Sequence, residues 1–210
     1  MKSKIVIIDY GLGNIKSIYD AFSKFNKSVV ISKNVRTIQS SSSIILPGVG
    51  SFAKAMQLIK KLNLEETIIN HVKNNKPLLG ICLGMQLLFE NSEEFGLNKG
   101  LSFIPGKVKK LKTSNLEKLP NIGWRKLNKK KINSNLINSI NNFDEFYFLH
   151  SFYCIPKKEN HTLAETKFGK SKFASVVNYK NIYGCQFHPE KSGKAGLKII
   201  QNFINISNKY

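Results

Sequence analysis

Residues 75–89 read NKPLLGICLGMQLLF, an apolar run with one cysteine set between two glycines. The segment KPLLGIC (76–82) is short and apolar enough for a buried strand, and LGMQLLFEN (83–91) predicts a helix after it. Gly80 and Gly84 stand two residues either side of Cys82, at the junction of the two. That is the layout of a nucleophile elbow, in which small neighbours permit a tight strand-to-helix turn that projects the central side chain. Such a turn sets the thiol at a helix N-terminus, where the dipole and free N–H groups favour a thiolate. It also aims the amide of the next residue, Leu83, at a developing oxyanion. A buried free cysteine in a core strand would give the same local sequence, and this stretch alone leaves the two readings level.

The rest of the first half alternates in the same way. KIVIID (4–9), VVIS (29–32) and SIILPG (43–48) are strand candidates. Residues 15–25 place Ile15, Ile18, Phe22 and Phe25 at helical spacing, and 53–74 predicts one or two amphipathic helices. In the second half KVKKL (107–111), DEFYFLHSFY (144–153), FASVVNY (173–179) and NIYGCQFH (181–188) look like strands with no clear helices between them. Residues 194–207 close the chain as a helix with Leu197, Ile200, Phe203 and Ile204 on one face. The fold class is therefore α/β: a mostly parallel central sheet with flanking helices plus an antiparallel extension, in a single domain spanning 1–210.

A second chemistry-bearing stretch is YGCQFHPEKSG (183–193), where His188 and Glu190 lie two apart. On an extended segment, which Pro189 would hold, that spacing puts both side chains on one face. A carboxylate beside an imidazole fixes its tautomer and stabilises the imidazolium. An ordinary surface His–Glu pair would look the same in isolation. Cys82 with His188 and Glu190 completes a set of nucleophile, base and orienter, which shifts the balance toward catalysis. SIILPGVGSF (43–52) ends a strand in a glycine-rich loop whose N–H groups can turn toward an anion, although a structural turn has the same form. DYGLGNIKS (9–17) only superficially resembles a dinucleotide fingerprint, since Lys16 occupies the third glycine position; NAD binding is rejected. His71 reads as a surface residue, His161 sits in a turn-like segment, and His150 is either a satisfied core histidine or a pocket residue. No grouping has zinc spacing, so neither metal nor cofactor is expected.

The net charge of +20 raises the possibility of a nucleic-acid partner, but of 33 basic residues only Arg36 and Arg125 are arginine. Base readout and bidentate phosphate clamps favour Arg, and Lys, Asn and Ile abundant together follow from drift of a coding sequence toward A and T. Residues 107–131 carry nine lysines against one glutamate and form part of any basic face. No apolar run reaches the roughly 18 residues that span a membrane. The N-terminal KIVII reads as a strand rather than a signal peptide, and three widely spaced cysteines make no disulfide framework. These features predict a cytoplasmic protein with neither nucleic-acid nor membrane partners.

Together GICLGMQ and FHPE resemble the class I glutamine amidotransferases. More narrowly, IDYGLGNIKS, LPGVGSF, GICLGMQLLFENSEE, IPGKV, PNIGW, FLHSFY and CQFHPEKSGKAG resemble, in order from residue 8 to 196, the family of glutaminase subunits of imidazole glycerol phosphate synthase. The resemblance implies that Cys82 attacks the side-chain amide of L-glutamine, His188 shuttles the proton and Glu190 orients His188. The backbone N–H groups of Leu83 and, after a loop adjustment, Val49 or Gly50 would hold the oxyanion. Gln86 and His150-Ser151-Phe152 match positions that hold the glutamine α-amino and carboxylate groups. The implied partner is a (β/α)8-barrel cyclase that receives ammonia through a channel in a heterodimer, with Asn14, Trp124 and the PGVG loop near the interface. The implied pathway is histidine biosynthesis, with imidazole glycerol phosphate and aminoimidazole carboxamide ribotide as products. One position departs: the family reads Gly-Trp-Asn where this chain has Gly123-Trp124-Arg125. A long cation there would alter an interface or a local hydrogen bond, and keeps open a sugar acceptor in surface-polysaccharide synthesis. A reading of another class is a basic nucleic-acid-binding protein with an incidental triad.

Overall fold

The computed structural model describes residues 3–113, 117–130 and 133–210. The first half alternates: β1 (Ile5–Ile8), α1 (Ile15–Ser23), β2 (Val29–Ser32), α2 (Val35–Gln39), β3 (Ser43–Leu46), α3 (Phe52–Lys61), α4 (Leu64–Lys73), β4 (Leu78–Ile81) and α5 (Leu83–Leu87). Short strands then dominate: β5 (Phe89–Ser92), β6 (Asn98–Lys99), β7 (Ile104–Lys110), β8 (Asn121–Lys126), β9 (Asn128–Lys129), β10 (Glu145–His150) and β11 (Phe152–Pro156). The chain finishes with β12 (Thr162–Phe168), β13 (Ser171–Tyr179), β14 (Ile182–Cys185) and α6 (Gly193–Ser207).

The central sheet runs β2-β1-β3-β4-β14-β13-β12-β9. Its first five strands are parallel and the other three continue it antiparallel. Strand side chains alternate between two helical layers, as the pleat requires. Ile5, Ile7, Ile45, Leu79 and Ile81 pack with α1 and α6, while Val6, Ile8, Ile44, Leu46 and Leu78 pack with α2, α3 and α4. Burial on both faces explains why these strands read as continuous apolar runs. Each fully buried Ile or Leu among them contributes about 1.5–3 kcal/mol. Two smaller sheets, β10-β8 and β11-β7-β5-β6, carry the remaining strands, and β10 and β11 bring residues 149–152 to a pocket shared with the segments that follow β3, β4 and β14.

The sequence expectations need five corrections. The helix expected over 83–91 stops at Leu87, and Phe89–Ser92 pairs as a strand with β7. The strand expected over 144–153 breaks at Ser151 into β10 and β11, which pair with different sheets. Strands β6, β8, β9 and β12 and the short helix α2 were not among the expected elements. His71 is buried rather than on the surface, with Nε2 3.1 Å from the Pro77 carbonyl oxygen. Burial lowers its pKa to about 4. Finally, Pro189–Lys191 forms one 3-10 turn instead of an extended segment, with Pro189 at the first helical position, where its missing N–H costs no bond. The helical segment 53–74 divides at Asn63, which adopts a left-handed conformation (φ 54°). Of the lysine-rich stretch 107–131, residues 114–116 and 131 lie outside the described residues.

Candidate active site

Three parallel neighbours, β3, β4 and β14, end side by side, and the chain just past each carries a chemistry-bearing segment: Pro47–Gly50, Cys82 and His188. The crevice beyond the carboxyl ends of parallel strands is where open α/β sheets bind ligands. Cys82 has φ 55° and ψ −112°, a conformation that costs a non-glycine residue free energy and persists only where the surroundings impose it. Its N–H donates to the Cys185 carbonyl at 2.8 Å, and its own carbonyl accepts from Met85 and Gln86. The flanking glycines are required by close approach. A Cβ at Gly80 would stand 2.7 Å from the Gly84 oxygen, and one at Gly84 would stand 1.8 Å from the Leu46 oxygen. Strand-turn-helix geometry thus leaves Cys82 only 6% exposed, yet lining a cavity.

His188 is anchored through its main chain. Its N–H donates to the Tyr147 carbonyl at 2.9 Å, and the Ser192 hydroxyl donates to its carbonyl at 2.6 Å while accepting from the Tyr147 N–H. On the side chain, Nδ1 lies 2.9 Å from Oε1 of Glu190, whose side chain is fully buried. Nε2 meets no partner within hydrogen-bond geometry among the described residues. Cys82 is nevertheless near enough to act on the ring. Burial opposes the charged form of His188, but Cys82 and Glu190 outweigh it and push the pKa up from 6.5 to about 10.

One cavity of about 210 Å³ collects most of the residues singled out from sequence: Cys82, Leu83, Gln86, His188, Val49, Gly50, His150, Ser151 and Phe152. Glu190 stands behind His188. Gln86 Nε2 donates to the Phe152 carbonyl at 2.9 Å and toward Gln186 Oε1 at 3.2 Å, and Gln186 Nε2 lies 3.9 Å from the Cys82 sulfur. His150 is both pocket-lining and satisfied: Nδ1 is 2.8 Å from the Phe152 oxygen and Nε2 is 3.0 Å from Asn121 Nδ2. Burial, followed by the positive charges of His188 and Arg125, lowers its pKa to about 4 despite the Phe152 carbonyl.

Besides Glu190, three of the residues singled out from sequence lie outside the cavity. Asn14 sits at the N-terminus of α1 and accepts from the Ser17 hydroxyl at 3.0 Å. Trp124 is 51% exposed and meets Tyr147 edge to face at 5.9 Å. Arg125 turns inward, donating from Nε to Asn121 Oδ1 at 2.6 Å, with its guanidinium 4.8 Å from the Phe168 ring centre. Sequence reasoning missed Glu94, a carboxylate on the cavity wall whose Oε2 accepts from the Phe52 N–H at 2.6 Å and so closes the N-terminus of α3. Nothing in NSEEFG distinguishes Glu94 from Glu93, which instead pairs outside with Lys107 and Lys109. Among the described residues no group of three or more His, Cys, Asp or Glu could hold a metal ion, and no helix is long and apolar enough to cross a membrane.

A thiol on a strained elbow, beside a buried imidazole–carboxylate pair, is an arrangement for acyl transfer. Residues 6–206 match the family model for class-I glutamine amidotransferases, and the chain belongs to that family. The particular relatives it resembles are subunits of one synthase. It is 46% identical over 203 residues to the imidazole glycerol phosphate synthase subunit HisH of Prochlorococcus marinus (strain NATL2A), covering 97% of this chain and 96% of the relative. It is 42% identical to the HisH subunit of Lactococcus lactis, covering 96% and 98%. Among solved structures, PurLQS from Thermotoga maritima superposes with a TM-score of 0.71 at 20% identity, over 98% of this chain and 99% of that one, and shares the fold.

Proposed function

We propose that this chain is the glutaminase subunit of an imidazole glycerol phosphate synthase, hydrolysing glutamine through a Cys82 thioester and passing ammonia to a cyclase subunit. The observation that carries the reading is the cavity in which Cys82, at its positive-φ turn, faces the buried His188–Glu190 pair. The names and extent of the relatives support the choice of synthase.

In this reading Cys82 attacks the side-chain carbonyl carbon of glutamine as a thiolate, its proton resting on His188. The C–N bond breaks as His188 returns that proton to the leaving nitrogen, releasing ammonia. A water, deprotonated by His188, then attacks the thioester, and glutamate leaves with the Cys82 sulfur restored. Glu190 holds the ring and balances its charge in both steps. The Leu83 N–H, with a donor from Val49 or Gly50, stabilises the oxyanion. Glu94 is the carboxylate on the cavity wall suited to the α-amino group, with Gln86 and the 150–152 segment completing the subsite for the amino acid's head.

A partner is expected on the outer face of β8 and β10. There Ile122 (53% exposed), Trp124 and Leu149 (36%) form an apolar surface, and Val49 (38%) stands exposed at the mouth of the cavity. Exposed aromatic and aliphatic groups of this kind suit a protein surface, and we assign it to a (β/α)8-barrel cyclase. Arg125 bonds within the chain and so gives no support to a sugar acceptor. The test is to mix the chain with a candidate barrel subunit and follow glutamate release with and without the cyclase substrate. Stimulated release is expected, and a Cys82→Ala complex should keep the reaction driven by ammonium salt. Loss of the ammonium-driven reaction, or glutamate release by Cys82→Ala, would overturn the assignment.

A further inference from the structure

We propose that Arg125 is a positioning residue for the glutamine pocket: acting through the amide of Asn121, it locks His150 as the neutral tautomer that carries its proton on Nδ1. The inference rests on the glutaminase reading of the cavity.

The direction of each hydrogen bond in this network is fixed by its partners. Asn121 and His150 are directly opposite on the β8–β10 ladder, and Asn121, Gly123 and Arg125 share the inward face of β8. Arg125 Nε can only donate, so the end of the Asn121 amide facing it, 2.6 Å away, must be the oxygen. The amide NH2 is thereby aimed at His150 Nε2, 3.0 Å away. An NH2 can only donate, so Nε2 must be an unprotonated acceptor. At the other side of the ring the Phe152 carbonyl, 2.8 Å from Nδ1, can only accept, so Nδ1 carries the proton. Two one-way groups, a guanidinium and a carbonyl, therefore fix the polarity of the whole chain.

Without Arg125 that polarity is free to reverse. A flipped Asn121 would offer its oxygen to Nε2, and a ring protonated on both nitrogens would then be bonded at both. Such a cation would stand in the cavity beside His188, itself held positive, and beside the α-amino group of a bound amino acid. The same Phe152 carbonyl also takes the Gln86 amide at 2.9 Å, so a change at His150 reaches a second pocket side chain. The guanidinium is seated for this task on the Phe168 ring, 4.8 Å from its centre. The burial and the two neighbouring positive charges that hold His150 neutral agree with the geometry.

Long-range ¹H–¹⁵N correlation of the histidine rings reads the tautomer directly and needs no turnover. In the unaltered chain His150 should give a single neutral form with the proton on Nδ1. Arg125→Met should give mixed tautomers and protonation at higher pH, whereas Arg125→Lys, which still presents a cationic donor, should keep most of the original form. Asn121→Asp, close to isosteric, accepts from Arg125 but cannot donate to Nε2, and should protonate Nε2 as well, giving the doubly protonated ring. With the partner subunit present, KM for glutamine should rise about ten-fold in Arg125→Met, the effect of one like charge set beside the α-amino group, and more than kcat falls. A single unchanged Nδ1–H form in both Arg125→Met and Asn121→Asp overturns the proposal, as does a changed tautomer with unchanged KM. If the unaltered complex releases no glutamate, the glutaminase reading falls, while the ring spectra still decide the role of Arg125.

Discussion

Replacing Gly84 by alanine adds a single methyl group at the point where the elbow meets the strand beside it. The new Cβ would lie 1.8 Å from the Leu46 oxygen, 2.8 Å from the Leu46 carbonyl carbon and 3.2 Å from that of Pro47. Carbon–oxygen contact becomes tolerable near ~3.2 Å, so α5 and the end of β3 must separate by roughly 1.4 Å. No rotamer relieves this, because both partners are main chain. Neither side can move alone: the Tyr10 hydroxyl donates to the Pro47 carbonyl at 2.7 Å, and Cys82 is tied to Cys185 at 2.8 Å. Overpacking costs about 1–3 kcal/mol in yielding cores, and a backbone collision belongs at the upper end, about 3 kcal/mol. For a chain of this size that lowers Tm by roughly 6–12 °C. The same displacement moves Cys82 relative to Val49 and Gly50, and a shift of about 1 Å at a reacting group can cost ~100-fold in rate. Thermal unfolding and glutamate release measure the two effects. A Gly84→Ala protein with unaltered Tm and kcat/KM would refute the view that close backbone approach, rather than habit of sequence, requires this glycine.

Glu190→Gln removes the charge that favours the His188 imidazolium, and kcat for glutamate release should fall by roughly 10²–10⁴, with the pKa of His188, followed by NMR, dropping from about 10. Glu94→Gln should raise KM for glutamine about ten-fold or more, by loss of a charge-assisted contact to the α-amino group, while a glutamine analogue lacking that group should bind both proteins equally. Acid should destabilise the fold through His71 and His150, each at about 4 in the native state against 6.5 unfolded. Between those values the unfolded chain binds the protons, so stability is complete above pH 6.5 and falls by up to about 3 kcal/mol per histidine as pH drops toward 4. Urea midpoints from pH 7 to 4 should therefore decline less steeply in His71→Gln. His188 acts in the opposite sense: its contribution is complete below pH 6.5 and is lost as pH rises toward 10.

The parallel half of the fold was legible because its strands are buried on both faces and announce themselves as apolar runs, with amphipathic helices between. β8 gave no such signal. It contains Gly123, and its apolar residues Ile122 and Trp124 point outward while Asn121 points inward, reversing the usual alternation. The inversion fits the proposed function, in which the polar face belongs to the pocket network and the apolar face would meet the partner subunit. LLFEN reads as helix because local preference favours it, but Phe89–Ser92 is claimed by pairing with β7, a long-range contact that local pattern does not contain. Most pocket residues were legible because the elbow, the His-x-Glu pair and the glycine loop each have their own chemistry. Glu94 had none, and its position depends on where the β5–β6 connection falls against α3. Arg125 stood out as a departure from the family pattern, but its inward hydrogen bond is visible only in three dimensions.

The central claim is that Cys82 is the nucleophile for glutamine. Intact-mass and peptide analysis after treatment with a glutamine-like electrophile tests it most directly, because the chain holds two further thiols as internal controls. Cys154 and Cys185 are buried, and burial, together with neighbouring negative charge, raises the pKa of both. A single adduct on Cys82 is expected, suppressed by glutamine and absent in Cys82→Ala. An adduct that survives Cys82→Ala, or labelling that glutamine does not compete away, would contradict it.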